Sequence, residues 1–293
     1  PFYVGLFFSS DHRINRIINS IESLNNASVE DMSDIHADIV SIPAADCIDM
    51  INKIKTADAF QIGAKGIISN WNGLMSSTSV GASIYSAFRL KFNIKIVELL
   101  FGKLSDEALD ANGRGAPFHI RLLTDWIIRN RKENELEQLI SSEDMENIIH
   151  RSFEEGLEYL IKLMGTDVEA WQWSRIHRTS HKHELSDQYP NLKWLLNPLS
   201  VAMSGDGDTP LSASYALSGP FTVTGASVAR YIFDLADWDK SKWITPLGSS
   251  GNQLSSHYLD QNPIWAKNKM IDMQYSWGTI SSTSKSKQTI SPL

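Results

Sequence analysis

Cysteine is nearly absent: Cys47 is the only one among 293 residues. An internal disulfide is thereby excluded, as is any metal site built on several thiolates. The compartment stays open, because large secreted proteins can do without disulfides. Basic charge is also short, with 27 Lys and Arg against 34 Asp and Glu and a net charge of −7. Phosphate backbones are held by clustered cations that release counterions, and only the short KNKM and SKSK stretches are locally basic. No nucleic-acid partner is expected. No run approaches the roughly 18–20 apolar residues of a membrane span. There is no initiator Met and no signal-peptide pattern. The sequence opens at Pro1 into the apolar run FYVGLFF, which leads us to expect a processed chain or an excised piece. A catalytic N-terminal proline is the less economical reading of Pro1. With 42% hydrophobic residues the chain has ample material for a core, in one large domain or two modest ones.

Hydrophobic spacing orders the chain. Residues 1–8 read as a short buried strand. From Arg13 the period becomes helical, with Ile14, Ile17, Ile18, Ile21 and Leu24 on one face. Asn25-Asn26 ends that helix, and Ser28 caps the next, with Asp31 completing an imperfect capping box. Helices are expected over 29–57, 80–102 and 119–163, the first two separated by the turn-rich GAKGIISNWNG, with Gly165 as a C-cap. After about residue 168 helical spacing fades, and SASYAL, ASVARYIFDL and KWITPLG read as strands. Both faces of ASVARYIFDL are apolar, which predicts a strand covered on both sides. A last helix is expected over Asn262 to Met273. The map is α+β, a helical N-terminal half followed by antiparallel strands. It divides into a mainly helical region (1–167), a β-rich region (168–278) and a polar tail (279–293).

Three clusters carry candidate chemistry. His177, His181 and His183 fall within seven residues, a zinc-like density. A helix would align the first two and a strand the last two, so no single local geometry converges all three, and no metal site is expected. Asp206 and Asp208 flank a glycine as in calcium loops, but no further ligand series follows; an Asx-type turn accounts for them equally well. In TPLGSSGNQLSSHYLDQ, GSSG is one residue short of a nucleophile elbow. Ser250, His257 and Asp260 make a triad on paper, though triad members usually come from separate elements.

Taken in order, several motifs resemble one family. They are Trp171-Gln172-Trp173, the histidine stretch, Gly205 to Thr209, and Gly225-x-Ser227-x-x-Arg230 with Asp234 four residues on. Pro246 to Gly251 and His257 to Trp265 follow. The helical half adds Arg13-Ile14-Asn15-Arg16-Ile17, Ser28 to Asp38 with Ser41, and Asn70 to Gly73. This series resembles the C-terminal part of the large (β) chain of the penicillin acylase family, the N-terminal-nucleophile amidohydrolases, over roughly residues 1–278.

The resemblance implies part of a four-layer αββα fold. It implies a parent that hydrolyses a linear amide through an acyl-enzyme, after self-cleavage frees an N-terminal nucleophile whose own α-amino group acts as base. That nucleophile and its oxyanion-hole Asn are not found in this sequence, so the chain alone is expected to be inactive. Arg13 matches the family's arginine just beyond the oxyanion Asn, and is implied to help order substrate and nucleophile. Helix-end pairing is its plainer role. Implied partners are the upstream part of the β chain, an α chain and a small amide substrate. Calcium in the parent would use upstream ligands, and an extracellular or periplasmic location is implied. A non-catalytic binding or structural module on the same fold is the rival expectation.

Overall fold

Polar caps one turn ahead of apolar runs set the helices, seen in a computed structural model that describes residues 10–109, 116–131, 133–216 and 219–292. The expected strand over residues 1–8 lies outside these. The helices are α1 (His12–Glu22), α2 (Val29–Ala37), α3 (Ala44–Asn52), α4 (Ala59–Ser69), α5 (Val80–Phe101), α6 (Ser105–Leu109), α7 (Ala116–Asn130), α8 (Asn134–Glu137) and α9 (Ser142–Met164). Short elements follow: α10 (Lys193–Leu196), β1 (Ala213–Tyr215), β2 (Val223–Ala226), β3 (Arg230–Ile232), β4 (Lys242–Ile244), α11 (Asn262–Ala266), β5 (Ile271–Asp272) and α12 (Trp277–Thr283). Helices thus precede antiparallel strands, the α+β order read from the sequence. The chain divides into two compact units.

The first unit comprises residues 1–22, 38–181 and 199–226. Its axis is α5. Ser79 caps the helix by accepting from the Ala82 N–H at 3.1 Å, and Gly102 ends it at φ 54°. Residues Gly81 to Leu90 are all buried, so α5 is enclosed on every side rather than amphipathic. It packs against α9, which Ser141 caps from the Asp144 N–H at 3.0 Å and Gly165 closes at φ 87°. The two backbones meet closely at Gly156, where a Cβ would come within 3.1 Å of Ala87 C and Phe88 N. Phe88, Phe92, Phe153, Leu157 and Leu160 fill the core around that crossing. Strands β1 and β2 pair with Ala213 opposite Ala226.

The second unit comprises residues 23–37, 182–198 and 227–293. Here the Ser28–Asp31 capping box forms as expected: Ser28 N donates to Asp31 Oδ2 at 2.8 Å and Asp31 N to Ser28 Oγ at 3.1 Å. Helix α2 packs on β3. The sheet runs β3–β4–β5, antiparallel, with Tyr231 opposite Trp243 and Trp243 opposite Ile271.

Four local expectations change. The segment expected as one helix over 29–57 breaks at 38–43, because Asp38 turns its carboxylate to the Val40 N–H and Val40 bridges to Leu74. GAKGIISNWNG is mostly helix: α4 runs through Gly63 and Gly66, started by the Asp58 cap and held by buried Ala64 and Ile68, and the turn is confined to its end. In ASVARYIFDL, Ala226 ends β2 and residues 230–232 form β3, while Val228, Tyr231, Phe233 and Leu235 are exposed within this chain rather than covered. The last helix stops at Ala266, before Asn268 takes φ 56°, and the chain then joins the sheet as β5. Strand β2, not expected from sequence, forms by pairing with β1.

The glycines give a paired test. Gly63 has nothing within 4 Å of a built Cβ, so Gly63→Ala should stabilise by about 0.5–1 kcal/mol through helix propensity. Gly156→Ala should lower stability by about 1–3 kcal/mol, because rigid backbone blocks the methyl. Urea titration of both variants checks the opposite signs.

Candidate functional site

The guanidinium of Arg89 sits in the middle of α5, 2% exposed. A buried cation is tolerable only when paired and hydrogen-bonded. Its Nη2 donates to Asp125 Oδ1 on α7 at 2.5 Å, and its Nη1 pairs with Asp208 and donates to the Tyr85 hydroxyl at 3.0 Å. The Tyr85 hydroxyl lies 3.2 Å from Ser41 Oγ, and Ser41 Oγ donates to Asp206 Oδ2 at 3.2 Å. Asp206 in turn accepts the Asp208 and Thr209 N–H groups at 2.8 and 3.0 Å. The SGDGDTP stretch is therefore an Asx-type turn pinned to α5. Gly207 lies so close to Arg121 that a side chain there would meet its guanidinium.

The hub reaches the start of α1. Ser10 Oγ donates to Asp208 Oδ1 at 3.1 Å, and buried His12 places Nε2 3.5 Å from Asp125 Oδ2. Arg129 on α7 donates to His12 Nδ1 at 3.1 Å and pairs with Asp11. Arg13, the second residue of α1, is half-buried. The next arginine of that motif, Arg16, pairs with Asp38 at 2.6 Å.

Burial opposes ionisation of Asp208, but Arg89 and Arg121 beside it hold its carboxyl far below the usual range. Asp125 is also held low, with burial outweighed by Arg89 and His12. Asp206 goes the other way, raised by burial and by the neighbouring Asp208. The hub thus carries fixed ion pairs at neutral pH. What its contacts do is tie the approach to α1 to α7 and the 205–209 turn.

The other sequence candidates are not members of that hub. His177 is fully buried, stacked on Trp173 at 4.3 Å, with Nδ1 2.8 Å from the Phe221 carbonyl. His183 Nδ1 accepts the Leu185 N–H at 3.1 Å. Among the described residues no group of three or more His, Cys, Asp or Glu could hold a metal ion. In the second unit, exposed His257 and Asp260 pair at 2.8 Å, while Ser250 Oγ accepts the Asn252 N–H at 3.1 Å. The rest of that loop is scaffold: Tyr258 donates to the Leu196 carbonyl at 2.8 Å, and Gln261 accepts the Thr245 N–H at 3.1 Å. Reading the sequence for motifs passes over Arg89, Asp125, Tyr85 and His12. The available signal was Arg89 as the one charge in the run Gly81 to Leu90, where a buried cation requires a partner.

Comparison with known proteins follows the same outline. Residues 1–282 match the penicillin amidase family. The chain is 27% identical over 303 residues to penicillin acylase 2 proenzyme of Pseudomonas sp. (strain SE83), covering 100% of this chain and 37% of that protein. It is 28% identical over 131 residues to the acyl-homoserine lactone acylase QuiP of Pseudomonas putida, covering 45% of this chain and 16% of the relative. Among solved structures, the thermostable penicillin G acylase from Alcaligenes faecalis superposes with a TM-score of 0.52 at 12% identity, over 99% of this chain and 54% of that one. The chain thus spans about a third of the first relative's length and about half of that solved chain.

Two outcomes are expected. Arg89→Met and Asp208→Asn should each lower stability by about 3–5 kcal/mol, since each strands a buried charge. The double variant should recover part of that sum, with a coupling of about 1–3 kcal/mol in chemical denaturation; strict additivity would mean that the pair does not interact. Burial lowers the His177 pKa to about 4, against about 6.5 in an unfolded chain. The folded form therefore resists a proton that the unfolded form accepts. Its contribution is intact above pH 6.5 and declines by roughly 3 kcal/mol as pH falls to 4. Urea midpoints from pH 7.5 to 4 should show that slope, and His177→Gln should flatten it.

Proposed function

The chain belongs to the penicillin amidase family, and on that premise we propose that it is the C-terminal portion of a large chain whose parent hydrolyses a linear amide through an acyl-enzyme. The observation that carries the reading is a family match extending over nearly the whole chain. The names of the relatives put forward penicillin-like amides and acyl-homoserine lactones, both of which join an acyl group to an amine. The nucleophile and the oxyanion donor would come from upstream polypeptide. This chain's part is support: the Arg89 hub holds Ser10 to His12, and Arg13, the next residue, orders the substrate and nucleophile region. Loss of rigid placement by about 1 Å can cost a hundredfold in rate, which gives the hub a catalytic consequence without contact with substrate.

Unpartnered apolar faces support an upstream partner. Ile14, Ile18 and Ile21 are exposed on α1, as are Tyr231, Phe233 and Leu235 around β3. Exposed strands and apolar patches recruit other chains. The occupant we assign to these faces is the upstream part of the β chain.

By itself the chain should turn over no chromogenic phenylacetyl amide, since an absent oxyanion donor alone costs about 3–4 kcal/mol. Supplying the upstream part in trans should produce turnover, and Arg13→Ala should then lower kcat/KM about 10–100-fold. Turnover by the chain alone that Ser250→Ala abolishes would move the chemistry to Ser250, His257 and Asp260. A complex that forms yet stays inactive would favour a non-catalytic module. On size exclusion with light scattering, the isolated chain should self-associate, and the upstream part should convert it to one discrete complex melting at higher temperature. A monomeric chain indifferent to that part would sink the partner assignment.

A further inference from the structure

A half-open cleft of about 520 Å³ lies in the first unit, between the C-terminal end of α3 and the start of α9. It shares no lining residue with the Arg89 hub. Its size falls in the ordinary range for small-molecule sites. The floor is apolar: Met50, Ile54, Leu136, Ile140 and Met145 line it, each under 9% exposed, with Ile149 beside them.

The rim is charged, and its charges do not cancel. Lys53 and Arg131 are already engaged by α3. Lys53 Nζ lies 2.9 Å from Asp49, and Arg131 donates to Asp46 and Asp49 at 2.8 and 2.9 Å. Those two cations and two carboxylates balance. Among the described lining residues, what remains is Lys55 against Glu133, Glu137 and Glu146, all exposed at the mouth. Of these, Glu137 accepts a hydrogen bond from Ser142 Oγ at 2.9 Å. His150 completes the rim.

An apolar floor beneath a carboxylate-rich mouth selects for an amphiphile with positive charge. We propose that the cleft binds a primary alkylammonium, a protonated amine carried on an apolar stem. The stem lies over Met50, Ile140 and Met145, where water gains little by staying. The ammonium, with three donors and no acceptor, faces Glu133 and Glu146. A fatty carboxylate of the same length meets the same floor but the wrong sign at the rim.

The test is a titration of the full chain, carrying 13C-methyl methionine, with n-octylammonium chloride below its micelle concentration. Octanoate and octanol serve as matched probes. The chain has 8 methionines. Met50 and Met145 should shift and saturate at one equivalent while the others stay, and octanoate should bind at least about tenfold more weakly. Glu133→Gln combined with Glu146→Gln alters only exposed side chains. It should weaken octylammonium about tenfold and leave octanol unchanged. Ile140→Trp, which fills the floor, should remove the Met50 and Met145 shifts. Four results would overturn the proposal: no shift with octylammonium, equal binding of octanoate, indifference to the paired glutamine variant, or unsaturated shifts spread over all methionines.

Discussion

The constraint on which the first unit depends is the buried charge of Arg89. A buried helix such as α5 gains nothing from a guanidinium unless partners arrive from elsewhere to meet it. Asp125 brings α7, Asp208 brings the 205–209 turn, and Tyr85 with Ser41 links Asp206 into the same set. Each partner is itself buried, so no member can shift without leaving another uncompensated. One ion-pair network therefore fixes the register of three separated segments and the start of α1.

Around that polar knot the packing is close. The α5–α9 crossing rests on Gly156, where the backbones approach too nearly for a side chain. Trp173 ties the two themes together in the first unit. It stacks on His177, contacts Phe221 and donates to the Gly205 carbonyl at 3.2 Å. Histidines that looked like metal ligands by density are used differently: His177 is a neutral, stacked core ring and His183 a cap. A buried imidazole that keeps one acceptor in an apolar wall is a structural element sensitive to acid.

For a family of amide hydrolases this division of labour is physically reasonable. Reactive groups need placement to within fractions of an ångström, and placement comes from rigid supporting shells more than from the reacting residues themselves. A chain that spans about a third of a curated relative can belong wholly to such a shell. Its exposed apolar faces on α1 and around β3 are the features on which the proposed partner rests.

The sequence by itself determined what depends on neighbours within a few residues, or on an ordered series of motifs. The Ser28–Asp31 box, the Gly165 cap, the long helix over 80–102 and the change from helices to strands were legible because caps and periodicity act locally. The family was legible because many weak motifs recur in one order. Only the tertiary structure decided which charges meet. Arg89 and Asp208 stand 119 residues apart, and nothing in local spacing encodes that pairing. It also decided the local exceptions. The helix α4 runs through two glycines because buried Ala64 and Ile68 outweigh their weak propensity. ASVARYIFDL is left half bare because whether a strand face is covered depends on what packs against it, and its own residues do not state that.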